Sequence, residues 1–182
     1  YIWPYHLHAS IGPSCAVAQF VEGEVHVWTG SQNPHDLRKD LAKISDVHPD
    51  FVNVHRLEAS GCYGRNCADD VAADALIMAQ AVGKPVRVQL MREQESGWEP
   101  KGTGQLIRLR GGVDEQGNVV AYELQTSYPS NLSPTLALVL TGKVKNERKV
   151  LQMGDRTSIP LYDYPSVRAV SLDAAPLVRS SW

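Results

Sequence analysis

The stretch EASGCYGRNCADDVAADAL, residues 58–76, places two glycines directly before a helix-forming segment. Successive backbone N–H groups in a glycine turn that opens a helix form a concave donor surface, which favours an anion or an electron-rich cofactor edge. The alternative is a tight strand-to-helix turn that binds nothing. The turn lacks the Gly-Lys-Ser/Thr of a phosphate-binding Walker loop and the third glycine of a dinucleotide loop. Gly61 and Gly64 alone therefore leave the ligand open.

A second polar stretch, TGSQN at residues 29–33, follows a predicted strand in the same way. Strand ends that carry glycine and polar amides are where open α/β sheets place ligands. Ser31 or Asn33 can cap a helix that begins at Pro34, but a capping role does not explain Gln32. We therefore expect the two stretches to meet at one crevice.

Cysteine and histidine residues give weaker signals. Cys15, Cys62 and Cys67 are too few for a disulfide scaffold, which predicts reduced thiols. The spacing of Cys62 and Cys67 could serve a metal, but two thiolates fall short of the four ligands of a zinc or iron–sulfur site. His6 and His8 share one face of an extended segment without an accompanying carboxylate or cysteine pattern. We predict no metal ligand in this chain, and no GxSxG or HExxH motif supports hydrolysis.

The first half of the chain predicts a strand–helix–strand unit. Residues 16–29, AVAQFVEGEVHVWT, predict a hairpin that turns at Glu-Gly. Residues 34–44 predict a helix, because its apolar positions recur at spacings of four and three: Leu37, Leu41 and Ile44. FVNVHRLE, 51–58, predicts the next strand, which delivers the glycine turn to a strand end.

The second half predicts one long helix and several half-buried strands. ADDVAADALIMAQAVG, 68–83, predicts a helix that stops at Gly83, with one apolar stripe: Val71, Ala75, Met78, Ala79 and Val82. KPVRVQLMR predicts a strand, and residues 104–127 predict two strands joined by DEQGN. The apolar run 136–140 has the length of a strand, and KVKNERK, 143–149, predicts a solvated loop. We therefore predict the fold class α+β, a mixed sheet with helices packed mainly on one side, in a single domain over 1–182.

Composition limits the possible partners. The chain has 182 residues, 43% hydrophobic, and its 18 basic and 20 acidic side chains give a net charge of −2. A broad cationic surface is absent, which argues against nucleic acid as a partner. No segment approaches the roughly 20 apolar residues of a membrane span. YIWPYHLHAS lacks an initiating methionine, and PLVRSSW ends without a turn or cap signal, so we expect a fragment of a longer polypeptide.

Four segments together resemble a known family over essentially the whole chain: YIWPYHLHASIGPSCAVAQF, VHVWTGSQNPHDLRKDLA, HRLEASGCYGRNCADDVAADALIMAQAVGKPVRVQLMREQE, and LYDYPSVRAVSL before PLVRSSW. The family is that of the molybdenum-binding chains of xanthine dehydrogenases and aldehyde oxidases, nearest to its isoquinoline 1-oxidoreductase beta-subunit type, which includes nicotinate-dehydrogenase-type subunits. The resemblance implies a bacterial molybdenum hydroxylase with molybdopterin cytosine dinucleotide. Water would supply the oxygen placed on an N-heterocycle or an aldehyde, and electrons would leave through [2Fe-2S] clusters on a partner small subunit.

The same resemblance implies roles for individual residues. Gln32 matches the glutamine that donates a hydrogen bond to a molybdenum oxygen, and Tyr63 matches an aromatic residue beside the substrate. A neutral amide suits that task, because it can orient an oxygen ligand without adding charge or competing as a metal ligand. The implied cofactor-binding set is Gln32, Gly61, Cys62, Tyr63, Gly64 and Arg65.

The chain also departs from the family. Purine-oxidising relatives carry a lysine and a glutamate where this chain has Arg65, Asn66 and Cys67, so we do not expect xanthine as a substrate. The resemblance implies that the family's glutamate base and an arginine-bearing loop belong to segments beyond residue 182, so we expect the fragment itself to be inactive and to bind cofactor weakly or not at all. Two alternatives stay open: a non-catalytic scaffold or interaction domain of the same fold, and a phosphate- or nucleotide-binding domain that uses the Gly61 turn.

Overall fold

A computed structural model of the chain describes residues 1–129, 134–145 and 158–174. The described residues form two compact units, one built from 1–6, 101–129 and 158–174 and the other from 7–100 and 134–145. The single domain over 1–182 stays a prediction.

The strands are β1 Ile2–Trp3, β2 Cys15–Val21, β3 Glu24–Thr29, β4 Val52–Arg56, β5 Val86–Gln89, β6 Gln105–Val113, β7 Val119–Pro129 and β8 Ser166–Ala174. The helices are α1 Pro34–Ser45, α2 Ala68–Val82, α3 Arg92–Trp98 and α4 Leu136–Leu140, with a 3-10 turn at Pro49–Phe51.

The larger unit, 7–100 with 134–145, contains a four-stranded mixed sheet in the order β4-β3-β2-β5. β2 pairs antiparallel with β3 and β5, and β3 pairs parallel with β4. The predicted hairpin is confirmed, and it turns at Glu22 and Gly23 with φ of 51° and 83°. Two successive residues with positive φ match the twist of a two-residue hairpin loop. The α+β class with a mixed sheet is confirmed.

One face of this sheet is covered by α1 and α2. Val25, Val27 and Thr29 of β3 are buried on the covered face, as their alternation predicts. Leu37 and Leu41 of α1 pack into the same core, each at most 1% exposed. Burying such a side chain stabilises the fold by about 1.5–3 kcal/mol.

Helix α2 ends at Gly83, which adopts φ 64°, as predicted. Its predicted apolar stripe is partly wrong, because Met78 and Val82 are 49% and 58% exposed. Val71, Ala75 and Ala79 are buried as predicted, and the buried face continues through Ala72 and Leu76. Steps of three and four from the first turn allow either stripe, and packing against β2 selects one of them.

The smaller unit, 1–6 with 101–129 and 158–174, contains a sheet in the order β1-β6-β7-β8. β6 and β7 form the predicted antiparallel pair around the turn at residues 114–118, where Asp114 accepts backbone hydrogen bonds from Gln116 and Asn118. β8, which contains SVRAVSL, pairs parallel with β7.

Two helices differ from the sequence expectation. The run LALVL forms the short helix α4, and the Asp70 carboxylate accepts a hydrogen bond from the backbone N–H of Leu136 at its start. α3 was not predicted, because REQESGW lacks an apolar stripe. Of the predicted loop KVKNERK, residues 146–149 lie outside the described residues; Lys143 donates to the carbonyl of Ile44 and to Asp46.

Candidate functional site

The two polar stretches begin at neighbouring strand ends. β3 and β4 run parallel with Thr29 opposite Arg56, so their carboxyl ends lie at the same edge of the sheet. The N–H of Leu57 donates to the carbonyl of Thr29 at 2.9 Å and extends the pairing by one residue. The structure therefore brings TGSQN and the chain that leads into the glycine turn to one edge, where open sheets place ligands.

Gly30 and Ala59 bring the two stretches into direct contact. A Cβ built on Gly30 would lie 2.4 Å from the Ala59 Cβ. No side chain at position 30 fits unless one stretch moves, because real Cβ atoms do not approach so closely. Glycine at this position permits the close approach of the two loops.

Asp69, in the first turn of α2, hydrogen-bonds to both loops. Its Oδ1 accepts from the Ser31 hydroxyl at 2.5 Å, and its Oδ2 accepts from Nε and Nη2 of Arg65, each at 2.9 Å. Ser31 is fully buried and Asp69 is 5% exposed. Burial raises the pKa of Asp69 above its ordinary value of 3.8, and the bonds from Arg65 and Ser31 oppose that rise.

The glycine turn has a left-handed backbone at three positions: φ is 85° at Gly61, 48° at Tyr63 and 123° at Gly64. A Cβ on Gly64 would lie 2.3 Å from the ring of His8. A Cβ on Gly61 would lie 2.9 Å from the ring of Tyr63, which is itself 61% exposed. The positive φ favours glycine at both positions, and at Gly64 the buried ring of His8 also excludes a side chain, whereas the exposed Tyr63 ring beside Gly61 can move.

A groove of about 260 Å³ opens beside this edge. Its lining includes Gly12, Ser14, Trp28, Gly30, Ser60 and Gly61. The Ser60 hydroxyl oxygen accepts from the N–H of Gly12 at 2.7 Å, which ties the segment 8–14 to the chain before the glycine turn. Of the residues predicted to bind the cofactor, Gly61 lines the groove. Gln32 is exposed and does not line the groove, although Gly30, two residues earlier in the sequence, does.

Sequence reasoning missed the buried carboxylate of Glu95 on α3. Glu95 is 0% exposed and accepts from the backbone N–H and the hydroxyl of Ser14, both at 2.9 Å. It also accepts from the N–H of Cys67, the N-cap residue of α2, at 3.4 Å. Glu95 therefore joins the groove wall to the helix that carries Asp69.

Arg92 of α3 and Glu99, the residue that caps the helix at its C-terminal end, hold the same segment. Arg92 donates to the carbonyl of Ser10 at 2.7 Å and also to that of Ile11, and Glu99 accepts from the N–H of His8 at 2.8 Å. Arg92 and Glu95 are three residues apart and share one face of α3, and Glu99 is the C-cap residue that follows the helix. The three charged residues at spacings of three and four were the available sequence signal, but the sequence did not show which segment they bind.

Cys62 and Cys67, considered in the sequence as possible metal ligands, are distributed between the glycine turn and the core. Cys67 is 1% exposed at the start of α2 and Cys62 is half-buried in the glycine turn, and no disulfide involves Cys15, Cys62 or Cys67. Within the described residues, no three His, Cys, Asp or Glu side chains are grouped to hold a metal ion. In the same part of the chain, no helix has the length and apolarity of a membrane span.

Residues 1–146 match the molybdopterin cofactor-binding domain family, and the chain belongs to that family. The sequence is 59% identical over 182 residues to a nicotinate dehydrogenase subunit of Pseudomonas putida, covering 100% of this chain and 15% of the relative. It is 28% identical over 109 residues to the beta chain of isoquinoline 1-oxidoreductase of Brevundimonas diminuta, covering 59% and 14%. The resemblance drawn from the sequence is confirmed, and the chain spans about one-seventh of the length of these relatives.

Solved structures show the same fold. The aldehyde oxidoreductase from Desulfovibrio gigas matches with a TM-score of 0.71 at 17% identity, covering 95% of this chain and 18% of that chain. Quinoline 2-oxidoreductase from Pseudomonas putida 86 matches with a TM-score of 0.60 at 18% identity, covering 70% and 16%.

Proposed function

We propose that this chain is part of the molybdenum cofactor-binding subunit of an oxidoreductase that hydroxylates an N-heterocycle or an aldehyde, with water as the source of oxygen. The main support is the meeting of TGSQN and the chain leading into the glycine turn at one sheet edge, in a chain that belongs to the molybdopterin cofactor-binding domain family. The names of the relatives, nicotinate dehydrogenase and isoquinoline 1-oxidoreductase, support the N-heterocycle. The aldehyde is supported by similarity to the aldehyde oxidoreductase molybdenum-binding subunit PaoC of Escherichia coli.

The residues at this edge fit such a cofactor. Gln32 presents an exposed neutral amide, and the groove is lined in part by Gly12, Gly30 and Gly61, whose backbone has no side chain to exclude a guest; both features suit an oxygen-rich group that brings its own metal ligands. When bound, molybdopterin cytosine dinucleotide would supply the oxygen-transfer and redox chemistry, and [2Fe-2S] clusters on a partner small subunit would take the electrons.

Each residue of this chain has a limited task in the proposal. The side-chain amide of Gln32 would donate a hydrogen bond to an oxygen of the bound group. Backbone N–H groups of 61–64 would donate to the same guest, with Cys62 and Gly64 contributing through the main chain. Tyr63, exposed, would flank the substrate, and Arg65 would bind at the cofactor edge while its Nε and Nη2 serve Asp69.

The proton-accepting base is assigned to the remainder of the subunit. A molybdenum hydroxylase needs a general base near the reacting carbon, and in this proposal residues 1–182 supply orientation without that base. The chain alone should therefore show no turnover. The absence of a glutamate at Asn66 or Cys67 argues against a purine substrate.

The proposal is tested by the full-length subunit co-expressed with its iron–sulfur partner. We expect stoichiometric molybdenum in the wild type. Gln32→Ala should lower turnover by roughly 10- to 1000-fold, because one donor to developing charge is lost, and should leave the molybdenum content intact. Gln116→Ala, an exposed glutamine in the β6–β7 turn, is the matched control and should not change turnover.

Other results would change the conclusion. Wild-type protein without molybdenum would support a non-catalytic scaffold of the same fold. Normal molybdenum with unchanged turnover in Gln32→Ala would remove the role assigned to Gln32 and leave the class of enzyme intact.

A further inference from the structure

We propose that Asp69 is a positioning residue that fixes the Gln32 turn relative to the Gly61–Gly64 turn. The placement of Gln32 matters for turnover only if the proposed function holds, but the linkage itself is a property of the fold. Neither Gln32 nor the glycine turn can be placed by its own strand alone, because both lie beyond the last paired residues, Thr29 and Arg56.

The carboxylate divides its two oxygens between the two loops. Oδ1 serves Ser31, the residue before Gln32, and Oδ2 serves Arg65, the residue after Gly64. The partners are separated from Asp69 by 38 and 4 residues along the chain, so one bond is long-range and the other is local. A shift of either loop would break a hydrogen bond to Asp69, which is only 5% exposed.

The bond to Asp69 also shapes the turn around Gln32. The Ser31 hydroxyl donates a hydrogen bond to Asp69, and its oxygen accepts one from the N–H of Asn33 at 3.1 Å. Gln32 therefore lies between two residues that are joined to each other and anchored through Ser31. These two hydrogen bonds restrict the backbone conformation at Gln32.

A carboxylate suits this position better than an amide. All the contacting groups are donors, namely one hydroxyl and two guanidinium N–H groups, and an ionised carboxylate only accepts. An asparagine would turn its NH₂ toward one of them and leave that donor unsatisfied in a buried site.

Asp69 is carried by a long, packed helix. It lies in the first turn of the 15-residue helix α2, which packs on β2, and the N-terminal end of a helix stabilises a negative charge. Function-bearing loops are positioned most accurately when they are tied to such an element.

Hydrogen exchange by mass spectrometry on the intact polypeptide, purified with any partner it retains, tests the linkage. In Asp69→Asn, amides of residues 31–33 and 64–66 should exchange about tenfold faster or more, whereas β2 and β3 should be unchanged. Ser31→Ala should accelerate the 31–33 segment alone, and Arg65→Gln the 64–66 segment alone. Asp50→Asn removes an exposed carboxylate that pairs with Arg38 and should change neither segment.

Unchanged exchange in either segment of Asp69→Asn, or equal acceleration in β3, would overturn the proposal. If Asp69→Asn does not fold, Ser31→Ala removes one bond only and still must accelerate 31–33. A second measurement uses the molybdenum-loaded enzyme: kcat of Asp69→Asn should fall about tenfold with KM and molybdenum content little changed, as expected of misplaced groups, and an unchanged kcat would contradict positioning. Wild-type protein without molybdenum would refute the proposed function while leaving the exchange result to decide on Asp69.

Discussion

Buried carboxylates organise the residues around the groove. Asp69 on α2 and Glu95 on α3 are 5% and 0% exposed, and their hydrogen-bond donors come from loops that also carry the glycines. Removing a buried acceptor leaves its donors unsatisfied, which costs more than the net value of the bond. These two positions should therefore be sensitive to substitution although neither lines the groove.

Glu95→Ala should lower the free energy of unfolding of the chain by about 3 kcal/mol, because the N–H and hydroxyl of Ser14 lose their acceptor in a buried site. Urea unfolding followed by circular dichroism measures the change. Glu93→Ala, on the exposed side of the same helix, is the control and should change stability by less than about 0.5 kcal/mol. Equal losses in both variants would show that Glu95 is not a structural acceptor.

Asp69 should make stability depend on pH. Burial raises its folded-state pKa above 3.8, so the protonated form is favoured in the folded chain relative to the unfolded chain. Its contribution is fully present below the unfolded pKa and is lost as pH rises through the folded pKa. The difference in melting temperature, wild type minus Asp69→Asn, should therefore shrink as pH rises from about 4, because asparagine does not titrate.

Melting curves of both proteins between about pH 3.5 and about pH 7 measure this difference. The groups that oppose the shift are Arg65 and Ser31, and Asp70 adds to it. A difference that grows with pH would mean that the hydrogen bonds to the ionised carboxylate outweigh its burial.

At the scale of elements, the glycine turn and the end of α2 use glycine for different reasons. Gly83 has φ 64° and nothing within 4 Å of an added Cβ, whereas Gly64 has φ 123° and the His8 ring at 2.3 Å. A helix end needs a left-handed residue only, while the turn also needs space for its neighbour.

Gly64→Ala should therefore cost more stability than Gly83→Ala. We expect a loss of about 1 kcal/mol for Gly83→Ala, from the left-handed backbone alone, and at least about 3 kcal/mol for Gly64→Ala, where backbone strain and overpacking add. Urea unfolding of the two variants compares them directly. Similar losses would show that the segment around His8 moves away at little cost.

At the scale of the whole molecule, the two units differ in their cores. Among the described residues, every buried apolar side chain belongs to 7–100 or 134–145. In the unit that contains β6–β8, Leu109, Val113 and Val167 are 51%, 66% and 43% exposed. Apolar burial is the main favourable term in folding, so local stability should follow this difference.

Native-state hydrogen exchange should show this difference. Amides in the centre of β3 should exchange at least about 100-fold more slowly than amides in the centre of β6, because β3 is covered by α1 and α2 whereas no β6 residue is buried. Amides hydrogen-bonded within each sheet make the comparison fair. Equal protection of β3 and β6 would mean that one cooperative unit spans both sheets.

The sequence alone determined the local elements and the family. Alternation over 16–29, apolar spacing over 34–44 and the stop at Gly83 are properties of short segments, so the hairpin and both long helices followed from them. The four segments that carry the resemblance also identified the molybdopterin cofactor-binding family. The same local information misplaced part of the apolar stripe of α2, because packing against the sheet determines which face is buried. It did not predict α3, because the buried residue of that helix is polar.

Only the tertiary structure decided which polar groups meet. Ser14 lies 81 residues from Glu95, and Ser31 lies 38 residues from Asp69, yet each pair shares a buried hydrogen bond. Periodicity within a segment reports which face is apolar, but a hydrogen bond between distant segments depends on how strands and helices are brought together. That is why the sequence named Gln32 and the glycines as site residues, while the carboxylates that hold their loops emerged only from the fold.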